Sequence, residues 1–206
     1  MSTHTLPSAN KNKMNPTTNT NLKVIRYDSL YKVLHWLIAG LILLMLLAKF
    51  GFASAITPED KMNMLIGHSS IGSILTLFII IRLVKRFVVK SERPIQMIPN
   101  WQKRLSSMVH LALYFCLIMI PLTGYLSASL HQFPVMPFTL INLSQVSSAG
   151  YVEADFLLMR SIHESMINLL MVLLFVHIGG ALFHKIIKKD GVMATMTPGK
   201  KRKKAA

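Results

Sequence analysis

A chain of 206 residues that is 52% hydrophobic, with a mean hydropathy of +0.46, is too apolar for an ordinary soluble domain of its size. A formal charge of +15 would suggest nucleic acid in a soluble protein, but here the basic residues flank greasy segments and must be read against them. The single cysteine, Cys116 in the apolar run LYFCLIM, excludes both a disulfide framework and a thiolate metal site and reads as packing.

Residues 1–26 are a polar tail, expected to be disordered. The stretch 1–22 has no apolar core followed by a cleavage site, so it is not a secretory signal. It is basic and acid-free like an organelle transit peptide, yet it lacks arginine and an amphipathic period, and His4 within it is expected to be solvent-exposed and idle.

A hydrocarbon layer about 30 Å thick takes roughly 20 residues of helix to cross. Four stretches meet that length, at about 34–54, 65–84, 107–128 and 162–184. Lipid offers backbone amides no partners, so these are helices rather than strands, with Pro121 expected to bend the third. The predicted fold is an all-α membrane protein, a four-transmembrane-helix bundle over 27–190, followed by a basic tail at 191–206.

Charge gives the bundle a direction. Lys11, Lys13, Lys23, Arg26 and Lys32 precede the first span; Arg82, Lys85, Arg86, Lys90, Arg93, Lys103 and Arg104 separate the second from the third. Eight more follow the fourth span, from Lys185 to Lys204, leaving only Lys49, Lys61 and Arg160 in the other two connections. The positive-inside rule therefore places both termini in the cytoplasm. The closing GKKRKKAA resembles a nuclear-localisation or nucleic-acid patch, but after a membrane helix it is read as an anchor to anionic lipid, with no nucleic acid as partner.

Orientation assigns each histidine a depth. His35 and His177 fall near the cytoplasmic surface, His68 and His163 near the outer one. Fourteen helical steps bring His177 back to within about 40° of the azimuth of His163, about 21 Å further along the same helix. One helix thus offers an imidazole at each surface, and two others supply the partners. Two opposed imidazoles per level match the axial demand of a six-coordinate haem iron. A zinc site would gather three or four ligands in one place, a proton relay would want buried carboxylates where only Glu164 is near, and single histidines also serve as hydrogen-bonded packing residues in a haem-free bundle.

Other residues carry two readings each. Gly67, Gly72, Gly179, Gly180 and Ala181 flank the candidate ligands, where they either admit a flat macrocycle or serve ordinary helix packing. Arg82, Lys85 and Arg86 either face haem propionates or anchor the second helix at the cytoplasmic interface. His110 is open to three roles, as a ligand in place of His35, a propionate contact or the wall of a quinone pocket, with a non-ligand role favoured. His184 is expected at lipid headgroups and His131 in an exposed loop.

The segments YDSLYKVLHWLIAGLIL at 27–43, IGHSSIGSILTLFIIIRLVKR at 66–86, HLALYFCLIMIPLTGYLSA at 110–128 and IHESMINLLMVLLFVHIGGALFHK at 162–185 together resemble the bacterial cytochrome b561 family. That resemblance implies two b-type haems in four transmembrane helices of the bacterial inner membrane. Carried over by position, it implies ligands at His35, His68, His163 and His177, paired as depth pairs them. It also implies electron transport in exchange with ubiquinone or another quinone, as a quinone-linked oxidoreductase or as a cytochrome serving a periplasmic redox protein. Superoxide oxidation occurs in the family, but the outer connection 129–160 holds one basic residue, Arg160, beside Glu153 and Asp155, a poor funnel for an anion.

Overall fold

The computed structural model describes residues 28–88, 98–131, 135–146 and 152–197. Among them, four long helices dominate: α1 (Ser29–Ser54), α2 (Pro58–Val88), α3 (Asn100–Ser129) and α4 (Glu153–Phe183). Each is long and apolar enough to cross a membrane, and the described residues contain no strand. The expected tail at 1–26, with His4 and Arg26, and residues 198–206 of the tail expected at 191–206, with the terminal lysine cluster, lie outside the described residues, as do Lys90 and Arg93.

Every helix begins before its hydropathic span, and polar caps start the first two, whereas α3 and α4 start at Pro99 and Val152 without a side-chain cap. Asp28 caps α1, its side chain accepting from the Leu30 amide at 3.4 Å. Thr57 and Asp60 cap α2 reciprocally: the Thr57 amide donates to Asp60 Oδ2 at 3.2 Å, and the Asp60 amide to Thr57 Oγ1 at 3.1 Å. Pro58 occupies the first helical position, where its missing N–H costs nothing. Glu153 and Asp155 lie in the first turn of α4, where carboxylates meet the positive end of the helix dipole. At about 1.5 Å per residue, α2 is about 46 Å long, well beyond the hydrocarbon layer. His68 and His163 therefore sit three turns inside their helices rather than at the ends, as the hydropathic boundaries had implied.

The helices pack chiefly as two pairs, α1 on α2 and α3 on α4. Between the pairs runs an apolar plug made of Ile38 and Ile42 from α1, Ile79 from α2, Cys116 from α3 and Leu170 from α4. Cys116 is fully enclosed there, consistent with its reading as packing. Large apolar side chains outside the plug, such as Leu43, Phe115 and Phe175, face outward, the pattern of a bundle whose solvent is lipid.

Two connections fold back onto the helices. Pro137–Thr139 forms a short 3-10 turn on α2, where the Phe138 amide donates to Ser70 Oγ at 2.7 Å. At the other end, α4 runs into a single π-helical turn, His184–Lys188, and reverses at Lys189 in a left-handed conformation. The chain then returns to α1: Trp36 Nε1 donates to the Met196 carbonyl at 3.1 Å, and Lys32 Nζ to that of Thr197 at 3.3 Å. Within the basic tail expected at 191–206, the backbone at Met196 and Thr197 thus touches α1.

Candidate functional site: two imidazole pairs at opposite ends of the bundle

α1 begins and α4 ends at the same face, so both described termini lie together; we call it the terminal end and the opposite face the loop end. At the terminal end His35 of α1 and His177 of α4 oppose each other, ring centroids 6.3 Å apart and planes at 82°. At the loop end His68 of α2 and His163 of α4 stand 6.3 Å apart at 77°. The fold brings the four candidate ligands together in these two couples. Leu170, seven residues from each histidine of α4, keeps the levels apart with the apolar plug.

The spacing is chemically informative. With metal–imidazole bonds of about 2 Å and each nitrogen about 1.2 Å from its ring centre, trans axial imidazoles have centroids about 6.4 Å apart. Both couples meet that separation, with different neighbours at each end. Among the described residues no group of three or more His, Cys, Asp or Glu side chains is placed to hold a metal ion by itself, whereas a macrocycle that fills four positions asks for only two imidazoles.

His163 is the best held. Its Nδ1 donates to the Ile120 carbonyl at 2.9 Å, with Thr123 Oγ1 at 3.2 Å, which orients the ring and leaves Nε2 for a ligand. Gly124, one turn beyond Ile120, makes that approach feasible: a Cβ there would meet His163 Cε1 at 3.1 Å. Thr123 is almost fully buried and donates to the Met119 carbonyl at 2.7 Å, so its oxygen is oriented toward the ring. His68 differs. Its Nδ1 is buried with no hydrogen-bond partner, an orphaned polar atom beside the Phe52 ring. A metal taken at Nε2 would leave that atom unpartnered, so it is the separation of the two couples on which the residues present fit a haem at each level.

The remaining candidates separate clearly. His110 lies 5.1 Å from His177, closer than two ligands of one iron, and its Nδ1 donates to Ser106 O on its own helix at 2.6 Å. Arg82 is buried, 8% exposed, its guanidinium 4.4 Å above the Tyr31 ring, whereas Lys85 pairs with Asp28 and Arg86 stands 4.7 Å over the Tyr114 ring. His184 has a partner on the chain itself: its Nδ1 meets Asp190 Oδ2 at 2.6 Å, beside a cavity of about 300 Å³ lined also by Lys185, Lys189 and Met193. His131 is half-buried with its ring 4.9 Å from Phe156, not exposed, because the chain after α3 packs back toward α4. Glu164 is exposed and bonded to Arg160 at 3.0 Å, so it is no buried proton carrier.

Outside the four long helices, Asp28 and Asp190 are shifted. The hydrogen bond from Lys85 holds Asp28 below its ordinary value. Burial pushes Asp190 up, but the His184 hydrogen bond, the Val192 amide and the His184 charge outweigh it and hold it below the usual range.

Of the glycines flagged in the sequence, Gly67, Gly179 and Gly180 face open space and Gly72 touches only Met45. The glycine that touches a candidate ligand is Gly124, which sequence reasoning passed over, together with Thr123, Tyr31 and Tyr114. Its only sequence signal was a Gly three residues after the in-helix Pro121.

Residues 26–199 match the family described as prokaryotic cytochrome b561. The chain is also 33% identical over 110 residues to cytochrome b561 homolog 1 of Escherichia coli (strain K12), an alignment that covers 50% of this chain. It spans 57% of that relative's length.

Proposed function

Because the chain belongs to the prokaryotic cytochrome b561 family, a family of multi-pass inner-membrane b-type cytochromes, we propose that it carries electrons across the membrane between two b-type haems. His35 and His177 would hold one and His68 and His163 the other. The observation that carries this reading is the repeated 6.3 Å separation of two opposed imidazole couples at opposite ends of one bundle. A haem held there supplies a reversible one-electron iron couple.

The chain's own contribution is positioning and exclusion. The Ile120 carbonyl and Thr123 hydroxyl fix the His163 ring, and the Nδ1 hydrogen bond raises the basicity of its free nitrogen. Ile38, Ile42, Ile79, Cys116 and Leu170 fill the space between the levels with apolar side chains. Arg82 brings a buried positive charge to the terminal end, within electrostatic reach of both His35 and His177. That end also carries Lys32, Lys85, Arg86, Lys103, Arg104, Lys185, Lys188 and Lys189, which supports assigning it to the cytoplasm.

Quinone is the proposed membrane partner, making the chain a quinone-linked oxidoreductase. The test is a spectrum of the purified protein mixed with a water-soluble quinol. Haem bands that reduce within the mixing experiment support the reading; a chain with haem that neither quinol reduces nor quinone reoxidises rejects the quinone assignment.

A further inference from the structure

Arg82 is the most conspicuous charge in the molecule. It is more than nine-tenths buried at the edge of a lipid-facing bundle, and it pairs with no carboxylate among the described residues, whose ion pairs are Lys85 with Asp28, Arg160 with Glu164 and His184 with Asp190. Burying a guanidinium without a counter-charge is costly, because the ion loses its hydration without gaining an opposite charge. The fold nevertheless builds a frame for it. Tyr31 lies beneath it at 4.4 Å, and Nη1 donates to the Tyr31 carbonyl at 3.4 Å. The Tyr31 hydroxyl meets that of Tyr114 at 3.2 Å, tying α1 to α3, and Arg86 covers the Tyr114 ring.

These parts have one chemistry in common. Guanidinium presents N–H donors in a planar fork that matches a carboxylate or phosphate. The two phenols share one hydrogen bond, so together they leave at most one further O–H to donate, and the cation–π contacts hold the two arginines in place without neutralising them. The frame stands one turn from His35, since Tyr31 and His35 share a face of α1 four residues apart.

We propose that Arg82, Tyr31 and Tyr114 form an oxyanion clasp, and that its occupant is a propionate carboxylate of the haem held by His35 and His177. The clasp rests on the di-haem reading above and deepens it. Tyr31 and Tyr114 are positioning residues: they fix the guanidinium and the carboxylate rather than touching iron. An anionic lipid phosphate, though tetrahedral, is also negative and accepts from the same guanidinium fork, and is the competing occupant.

The test uses the purified holoprotein, with Arg82→Gln, Arg82→Lys and the double change Tyr31→Phe with Tyr114→Phe. Haem content, the midpoint potential of each haem, the propionate bending bands in resonance Raman spectra and co-purifying phospholipid are measured. The clasp predicts that Arg82→Gln lowers the midpoint of one haem only and moves its propionate bands, with partial rescue in Arg82→Lys. The milder double Tyr change moves the same bands with haem retained. Unmoved bands and potentials in a protein that keeps both haems overturn the clasp while leaving the di-haem reading standing. Loss of bound anionic lipid with those spectra unchanged assigns the site to phosphate and overturns it equally. A wild-type chain without haem overturns both.

Discussion

The imidazole Nδ1 of His163 lies 2.9 Å from the carbonyl oxygen of Ile120, a bond between α4 and α3 made feasible by a glycine one turn further on. It is the point at which helix packing and site geometry become one constraint. Gly124→Ala places a methyl group where Cε1 stands at 3.1 Å, so the ring must turn or the helices must part. We expect haem affinity at the loop end to fall about 10- to 100-fold, the usual effect of losing an outer-shell support, with the terminal-end haem retained. Haem titration of the variant checks this, and equal loss at both ends would place the effect in folding instead.

Thr123→Val keeps the shape of the side chain and removes the hydroxyl oxygen 3.2 Å from His163 Nδ1. The midpoint potential of one haem should move while the other stays within error. Redox titration with two resolved components reads it directly.

Leu170→Ala opens a hole in the plug without touching either couple. By analogy with soluble cores the change costs about 2–5 kcal/mol, and less where lipid or neighbouring side chains fill the space. Thermal unfolding should shift downward while the haem count stays at its wild-type value; loss of haem would tie the plug to ligand geometry.

Asp28→Asn retains an N-cap side chain for α1 but deletes the charge that faces Lys85. Because the folded value of Asp28 is depressed below 3.8, its contribution is present above that pH and is lost as pH falls through the depressed value. The variant should therefore be less stable than wild type at pH 7, with the difference closing as pH falls through the depressed value. A difference that persists in acid would assign the effect to the cap rather than to the ion pair. Asp28 is exposed, so the gap at pH 7 is small.

The four helices were legible because lipid leaves the backbone no alternative, and an uncharged run of 20 residues announces itself. Their ends were not. Thr57 and Asp60 close α2 ten residues before His68, through a capping box that hydropathy ignores. The couples His35 with His177 and His68 with His163 followed from depth and azimuth, which helix periodicity fixes along α4 and membrane orientation fixes across the bundle. Partners that depend on side-chain direction were not accessible in this way. The Ile120 carbonyl belongs to no residue type, and the Tyr31 to Tyr114 contact joins positions 83 residues apart. His184 illustrates the same limit: its partner, Asp190, comes within reach only because the π turn and the left-handed Lys189 reverse the chain.

The central claim is that each couple grips its own iron porphyrin. A pyridine haemochrome count on the purified chain, repeated on His177→Ala and His68→Ala, tests it most directly. Two haems in the wild type and one in each variant, with the surviving spectrum different between them, is the predicted result. A count of zero or one in the wild type, or a variant that keeps both haems, would contradict it.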